Sequence, residues 1–432
     1  TSCSRQVEIE YNPEKTFTVE DLRDDFSEFR EKLDGLHPAI NTYDNKALFR
    51  QIFDSAFSSI DQGSTLIEFY MALRRIASRT NCGHTRTWLP RKYWGKILEN
   101  ENHFPFTLYF DGSEAFIRHS YIQDSQIIPG NQVISINGTP MTEIIHNFLD
   151  IIAADGLNLT YKYHNMNQLS FGLFPGYPVF PDTYEIAYLS RDGGGLQNST
   201  ITALSYADIR KVRDELSLDF EESAPADMHI IDSLQTAVIR IGEFIAWDDF
   251  NFDDFYKQCF ESIRIDAIQN IIIDVRGNDG GEPYAATDLI SYIIDSSYTY
   301  FNPHVYGYSD LKRPIKPHSD NFQGNVFVLL DGGSFSTSGH FLSIIKHYNL
   351  GILIGEESGG SYRCNGCNTE LVLPNTGIRV EYTRCVYSTV AKNMPKDRGI
   401  IPDYEINLSI TDIIESNDPA MNLALELIGK DE

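Results

Sequence analysis

The chain has 432 residues, a formal net charge of −26 at pH 7, and 42% hydrophobic residues. This composition predicts a folded protein of about two to four domains and excludes a disordered chain or a small disulfide-stapled module. The strong negative charge disfavours nucleic acid as a partner, because the phosphate backbone is also negative. The longest apolar runs fall well short of the ~18 residues that a membrane span requires, so no transmembrane span is expected.

The N-terminal residues place Cys3 among small polar residues, ahead of a polar stretch. They resemble the region around the acylated cysteine of bacterial lipoproteins. Residues 1–17 are therefore predicted to be a tail in which Cys3 is a lipid anchor, and a free cysteine in a tail is the alternative.

A helical unit is predicted over residues 18–90. Apolar residues recur at helical spacing over residues 18–33, 46–57 and 65–78. Thr18 is the expected N-cap of the first helix, and Asp21 completes an approximate capping box. Gly83 ends the unit and puts His84 in a loop or at the start of a strand.

A compact β-rich module is predicted over residues 103–190, where short β-like runs replace the helical pattern. Residues 191–235 contain glycine-rich and acidic stretches and are expected to be a linker or an irregular segment.

From Thr236 onward the chain alternates strand and helix patterns, which predicts a largely parallel sheet within residues 236–432. The predicted strands cover residues 237–241, 271–275, 326–330 and 352–354, and the predicted helices cover residues 250–264, 284–293 and 338–347. The fold class is therefore a multi-domain α/β protein. Ligands bind beyond the carboxyl ends of such strands, so the glycine-rich loops after Val275 and Leu330 are the first candidate sites.

The loop after Val275 reads Arg-Gly-Asn-Asp-Gly-Gly over residues 276–281. Adjacent glycines permit backbone angles that turn N–H groups toward an anion or an oxyanion. A tight strand-to-helix turn explains the same glycines. The loop lacks Gly-Lys-Ser/Thr and is not a P-loop.

The loop after Leu330 contains Ser334, Ser336 and Ser338 just before a predicted helix. A serine at such a turn has its hydroxyl near the helix N-terminus, where N–H groups favour developing negative charge. Any of the three serines could instead be a helix cap.

The cysteines favour a structural role. Cys364 and Cys367 have the spacing of half a zinc ribbon, but no second pair accompanies them, and four ligands are the norm. In an exported protein these two cysteines could pair, or one of them could pair with Cys385. The pairing stays open.

Several motifs together resemble the tail-specific, or C-terminal processing, serine peptidases, a family that includes the tricorn core protease and a retinoid-binding protein. The motifs are residues 271–281 (IIIDVRGNDGG), 333–338 (GSFSTS), 354–360 (IGEESGG) and 399–403 (GIIPD). In addition, residues 129–138 (PGNQVISING) are similar to the second half of a PDZ domain. The resemblance implies a PDZ-like module and a peptidase core with a crotonase-like/ClpP-like spiral fold.

This resemblance also assigns roles to individual residues. Ser336 occupies the position of the family's nucleophile. The backbone N–H of Thr337, together with that of Gly280 or Gly281, is implied to form the oxyanion hole. Ser334 and Ser338 are then structural or capping residues.

The general base departs from the best-known branch of the family, which uses a lysine. Ser361 occupies that position, and no other Lys lies between residues 354 and 385. The tricorn-like branch uses a histidine where this chain has His84, so His84 is the expected base. Asp397 is the expected carboxylate that orients it. The alternatives are a structural His84, His340 as the base, and Asp397 as a surface charge.

These inferences predict an exported bacterial serine endopeptidase or C-terminal processing peptidase, periplasmic or on the cell surface. Its partner is a peptide or protein substrate, it needs no metal or organic cofactor, and its oligomeric state is not predicted. The alternative is an inactive relative that binds a peptide or an apolar ligand. An apolar pocket in which Ser336 and His84 lie too far apart for a hydrogen bond would favour that alternative.

Overall fold

The computed structural model describes residues 10–42, 46–122, 126–168, 179–216, 224–247 and 249–430. The predicted anchor Cys3 lies outside them. The helices are α1 (Val19–Leu36), α2 (Pro38–Thr42), α3 (Lys46–Ser59), α4 (Leu66–Ser78), α5 (Arg91–Asn100), α6 (Met141–Ile151), α7 (Thr160–Gln168), α8 (Tyr206–Glu215), α9 (Phe252–Ile265), α10 (Pro283–Ser291), α11 (Thr337–Tyr348), α12 (Ile410–Glu415) and α13 (Pro419–Lys430). Within the described residues, no helix combines the length and the apolarity needed to cross a bilayer.

The strands are β1 (Thr16–Phe17), β2 (Ser64–Thr65), β3 (Arg86–Trp88), β4 (Asn102–His103), β5 (Phe106–Asp111), β6 (Glu114–Ser120), β7 (Gln132–Ile136), β8 (Thr139–Pro140), β9 (Thr183–Leu189), β10 (Leu196–Thr202), β11 (Leu204–Ser205), β12 (Ala226–Ile231), β13 (Thr236–Ile241), β14 (Asn270–Asp274), β15 (Asn325–Leu330), β16 (Ile352–Gly355), β17 (Arg363–Gly366), β18 (Thr369–Val372), β19 (Arg379–Tyr382), β20 (Cys385–Ser388) and β21 (Tyr404–Glu405).

The chain forms two compact units, each assembled from separate stretches of sequence. The first unit comprises the described residues within 1–154, 165–219 and 365–385, and the second comprises those within 155–164, 220–364 and 386–432. The domain boundaries predicted from the sequence divide the chain into consecutive ranges, whereas each unit combines segments that lie far apart along the chain. Those boundaries stay a prediction.

The first unit contains the three helices predicted within residues 18–90. The Thr18 hydroxyl accepts from the Asp21 N–H and the Asp21 carboxylate accepts from the Thr18 N–H, so the predicted capping box is confirmed. Thr65 and Glu68 form a second capping box at α4. The amphipathic faces of α1, α3 and α4 pack into one apolar core, whose largest fully buried members include Phe26, Phe29 and Phe53.

A β-sheet completes the first unit, with strand order β10-β9-β7-β6-β5 and antiparallel pairing throughout. A second sheet joins the hairpin β18–β19 to β3. The residues of this hairpin come from the part of the sequence that was assigned to the peptidase core.

A disulfide closes the hairpin, and it joins Cys367 to Cys385. Cys364 is a buried free thiol. This pairing resolves the open question from the sequence, and it removes Cys367 from any zinc site with Cys364. At the tip of the hairpin, the N–H groups of Asn375 and Thr376 each donate to the buried carboxylate of Asp25, both at 2.8 Å. Burial raises the pKa of Asp25, although these hydrogen bonds oppose the shift.

The second unit has a six-stranded sheet of order β12-β13-β14-β15-β16-β21. Only the β12–β13 pair is antiparallel, so the largely parallel sheet is confirmed. Side chains alternate across the sheet: Ile271 and Ile273 pack on the face that α9, α10 and α11 cover, and Ile272 packs on the face that α13 covers. Both faces are buried, as expected for parallel strands.

Candidate active site

Ser336 lies in the turn between β15 and α11, with φ 54° and ψ −116°. A serine rarely adopts these angles, and such strained residues concentrate at functional sites. Ser336 is partly exposed, whereas residues 332–335 and 337–345 on either side of it are all buried. It occupies the N-cap position, but its side chain forms no capping hydrogen bond. Capping therefore does not account for this serine.

The two neighbouring serines differ from Ser336. The Ser334 hydroxyl is fully buried and donates to the Val275 carbonyl at 2.7 Å, which ties the turn to the end of β14. The Ser338 hydroxyl is also buried and has no hydrogen-bond partner in the described part of the chain. Neither position presents a hydroxyl to solvent.

The glycine loop after β14 packs directly against this turn. A Cβ added to Gly280 would lie 2.7 Å from the Ser336 Cβ and 2.9 Å from the Thr337 nitrogen. The Phe335 N–H donates to the Asn278 carbonyl at 2.9 Å, and the Thr337 hydroxyl donates to the Gly281 carbonyl at 2.5 Å. Four predicted site residues, Ser336, Thr337, Gly280 and Gly281, are thus brought together.

The two candidate oxyanion glycines differ in their N–H groups. The Gly280 N–H donates to the Asn278 side chain at 2.9 Å, so that group is already engaged. Gly281 lies opposite Phe244 in a parallel bridge, and the two hydrogen bonds of this bridge use backbone groups of the residues before and after Gly281. The Gly281 N–H itself has no acceptor within the described residues. Thr337 is the first residue of α11, where N–H groups lack an intrahelical acceptor. The geometry favours Gly281 over Gly280 as the partner of Thr337.

Asn278 and Asp331 organise these loops, and the sequence reasoning assigned neither a role. Asn278 is fully buried and bridges the Ile241 carbonyl and the Gly280 N–H. One Asp331 oxygen accepts from the N–H groups of Gly333 and Ser334, at 2.9 and 3.1 Å. The available signal was position: Asn278 lies within the glycine-rich residues 276–281, and Asp331 directly follows the strand that ends at Leu330.

Arg276 anchors the start of the glycine loop. Its guanidinium donates to both carboxylate oxygens of Asp274 and of Asp418, which lies at the N-terminus of α13. Burial lowers the pKa of Arg276, but the bonds to the two aspartates outweigh burial and raise it overall. This loop is therefore held from the side of the sheet that faces α13.

The loop after β16 lies on the other side of the turn that carries Ser336. The Gly360 N–H donates to the Ser334 carbonyl at 2.9 Å, and a Cβ at Gly360 would lie 2.7 Å from the Ser336 nitrogen. Ser361, at the position of the family's lysine, is buried, and its hydroxyl donates to the Arg363 carbonyl. The described contacts of Ser361 are structural.

Asp397 is exposed, and its backbone carbonyl accepts from the Leu157 N–H at 2.7 Å. Glu357, by contrast, is a largely buried carboxylate with several partners near this segment. It is 9% exposed, forms an ion pair with Arg398 and accepts from the Gly399 N–H at 2.7 Å. Glu357 lies within the 354–360 motif, but nothing in the sequence indicated a role for it.

The two candidate histidines have different surroundings. His84 lies in the first unit, in a turn between α4 and β3, and is partly exposed. His340 lies in α11, is 2% exposed, and is edge-on to the rings of Tyr300 and Phe301. His340 thus has the environment of a core histidine.

A strained, accessible serine at a strand-to-helix turn, beside a glycine loop on a parallel sheet, is the arrangement of a serine hydrolase. Residues 235–406 match the family model of peptidase family S41. The resemblance seen in the sequence is thereby confirmed, without distinction between its serine–histidine and serine–lysine branches.

Solved structures similar to this chain have the same fold at low sequence identity. A crystal structure of mature CPAF is 14% identical, with a TM-score of 0.68, and the match covers 96% of this chain and 98% of that one. A putative peptidase from Parabacteroides merdae is 15% identical, with a TM-score of 0.51, and the match covers 94% of this chain and 96% of that one. No curated protein sequence matches the chain.

Proposed function

We propose that this protein is a serine peptidase that hydrolyses peptide bonds through an acyl-enzyme on Ser336. The observation that carries the proposal is the conformation of Ser336, a partly exposed serine held at φ 54° against the glycine loop. The match of residues 235–406 to peptidase family S41 supports peptide bonds as the substrate class.

In the proposed reaction, the Ser336 hydroxyl oxygen attacks the peptide carbonyl carbon while His84 accepts the hydroxyl proton. The N–H groups of Thr337 and Gly281 hold the oxyanion of the tetrahedral intermediate. His84 then gives its proton to the leaving amine, and a water molecule hydrolyses the ester with His84 again acting as base. Asp397 is proposed to orient His84.

Labelling with a fluorophosphonate probe tests the nucleophile, because this reagent reacts with activated serines without requiring a known substrate. Wild type should be labelled, and Ser336→Ala should not. Ser338→Ala is the matched control: it removes a buried hydroxyl two residues away and should leave labelling unchanged. Labelling of Ser336→Ala at the wild-type rate would refute the assignment.

Two further variants test the base and its orienting carboxylate. His84→Ala should slow labelling by about 10³-fold or more, because the serine loses its base. Asp397→Asn should slow it less, because the base itself is retained. If His84→Ala were labelled normally, the base would be another residue. If folded wild type bound peptides but was neither labelled nor hydrolytic, the inactive binding relative would be the better description.

We further propose that the protein is exported, to the periplasm or the cell surface of a bacterium. The Cys367–Cys385 disulfide supports this proposal, because structural disulfides persist mainly in oxidising compartments. Acylation of Cys3 belongs to the same proposal, and mass spectrometry of the N-terminal peptide from the native protein would test it.

A further inference from the structure

The strained backbone of Ser336 needs contacts that hold it, because φ 54° and ψ −116° lie outside the regions that a serine commonly adopts. On the C-terminal side, the Thr337 hydroxyl donates to the Gly281 carbonyl. On the N-terminal side, Phe335 is fully buried, and its N–H donates to the Asn278 carbonyl at 2.9 Å. Both neighbours of Ser336 are therefore fixed to the glycine loop.

The side chain of Phe335 stacks on Tyr161, near the start of α7. The two ring centroids are 4.3 Å apart, and the ring planes are inclined by 26°. Tyr161 is 3% exposed and Phe335 is fully buried, so the rings pack against each other away from solvent. Stacked aromatic pairs contribute stability beyond the area that they bury. The stack therefore restricts the positions that the residue before Ser336 can adopt.

The loop after β16 holds Tyr161 in turn. A Cβ added to Gly359 would lie 2.7 Å from the Cδ2 atom of Tyr161, so the ring lies directly against this glycine. The Tyr161 N–H donates to the side-chain oxygen of Asn158 at 2.7 Å. The side-chain nitrogen of Asn158 donates to the Ser358 carbonyl at 2.8 Å. Tyr161 is thus attached to one active-site loop while its ring supports the other.

Other residues of the segment 155–164 also pack against the turn between β15 and α11. A Cβ added to Gly332 would clash with the Thr160 carbonyl, and a Cβ added to Gly333 would clash with the ring of His164. The segment belongs to the second unit, together with the turn. The contact between Tyr161 and Phe335 is therefore part of a continuous packed surface rather than an isolated approach of two rings.

We propose that Tyr161 is a positioning residue, which acts through Phe335 to keep Ser336 in its strained conformation. Without the stack, Phe335 can move and the Ser336 backbone can relax, which carries the hydroxyl oxygen away from the glycine loop. A reacting oxygen must lie within about 3–3.5 Å of the carbon that it attacks, so a small displacement slows the reaction strongly. The inference rests on the proposed function, because it concerns the same serine.

The rate of fluorophosphonate labelling tests this role when it is measured over a range of probe concentrations, which separates the labelling step from probe binding. Tyr161→Leu removes the ring and should slow the labelling step at least tenfold, which is about 1.4 kcal/mol at 25 °C, with probe binding little changed. Tyr161→Phe retains the ring and should keep most of the rate. If Tyr161→Leu does not fold, Tyr161→Met takes its place. A wild-type rate in the variant without the ring would overturn the proposal.

Phe260→Leu is the matched control, because it disrupts another aromatic stack of the same unit. The rings of Phe260 and Tyr292 lie 4.4 Å apart at an angle of 11°, and they join α9 to the C-terminal end of α10. This variant should lower Tm about as much as Tyr161→Leu does, yet it should be labelled at the wild-type rate. Equal slowing in both variants would show general destabilisation and would overturn the positioning role.

A double-mutant cycle tests whether Tyr161 acts through Phe335. Phe335→Leu alone should slow labelling, and adding Tyr161→Leu should slow it no further, because the stack is already lost. Losses that simply add would show that the two side chains act independently, which would overturn the proposal.

Crystal structures of wild type and Tyr161→Leu distinguish this role from the proposed catalysis. We expect positive φ at Ser336 in wild type and its loss in the variant, a result that requires no labelling. Retention of φ near 54° in the variant would overturn the proposal. Absence of labelling in folded wild type would contradict the proposed function instead, and the two structures would still decide the role of Tyr161.

Discussion

The carboxylate of Asp331 accepts a hydrogen bond from the backbone N–H of Gly277 at 2.8 Å, although 54 residues separate them. The accepting oxygen is the one that also binds the N–H groups of Gly333 and Ser334. One oxygen therefore sets the spacing between the glycine loop and the turn that carries Ser336. The second oxygen faces His164, whose Nδ1 is 3.7 Å away.

Asp331→Ala should slow fluorophosphonate labelling by about 10²-fold, because the N–H groups of the proposed oxyanion hole lose their fixed spacing. Asp331→Asn retains an acceptor oxygen and should recover most of the rate. Labelling time courses, with Tm measured in parallel, check both expectations. Equal rates in wild type and Asp331→Ala would show that the loops keep their spacing without this carboxylate.

Gly280→Ala should abolish labelling, because the new methyl group would lie 2.7 Å from the Ser336 Cβ, at a residue with φ +108°. Gly277→Ala provides the matched control in the same loop. It also has positive φ, +70°, but its Cβ would have no atom within 4 Å. It should cost only about 1–2 kcal/mol in stability and leave labelling largely intact. Similar losses in both variants would mean that backbone strain, rather than crowding of Ser336, decides the outcome.

Replacing Cys367 and Cys385 together by serine should lower the free energy of unfolding by about 3 kcal/mol, because the disulfide closes a loop of 18 residues. Denaturant unfolding measures this change. A reducing agent should destabilise wild type by a similar amount and leave the double variant unaffected. An unchanged unfolding midpoint in reduced wild type would contradict the prediction.

Asp288, in α10, should make stability fall as pH rises from about 4 to about 6. Burial, and then the charge of Asp253, raise its pKa from 3.8 to about 6. The folded state therefore binds the proton more tightly than the unfolded state, so stability is lost between these two pKa values and the loss is complete above about pH 6. Since the side chain is partly exposed, we expect about 1 kcal/mol.

Asp288→Asn should remove this step, so that the variant exceeds wild type in stability at pH 7 but not at pH 4. Glu261→Gln, on an exposed position of α9, should retain the step. Urea unfolding at several pH values makes the comparison. A step of equal size in wild type and Asp288→Asn would assign the pH dependence to another group.

The sequence predicted those features that short-range patterns encode. Thr18 and Asp21 form the expected capping box because its geometry spans only four residues. The strands and helices from Thr236 onward followed from apolar periodicity and glycine-rich breaks. The clustering of Ser336 with Gly280 was expected, because parallel strands bring their carboxyl ends to one edge of the sheet.

Long-range partners were not predictable in the same way. Nothing in the local sequence of Asp331 indicates that its acceptor role extends to Gly277. The sequence allowed more than one cysteine pairing, because only the folded hairpin shows that Cys367 lies next to Cys385.

The hairpin β18–β19 delays the folding of the first unit until late in the synthesis of the protein. Helix α1 leaves the ribosome early, yet its buried Asp25 binds the N–H groups of Asn375 and Thr376, which are translated 350 and 351 residues later. The first unit therefore cannot complete its apolar core until most of the chain has been made. A nascent chain that ends before the hairpin exposes the surface that Leu373 and Ile378 normally cover, which makes it a target for chaperones and quality-control proteases.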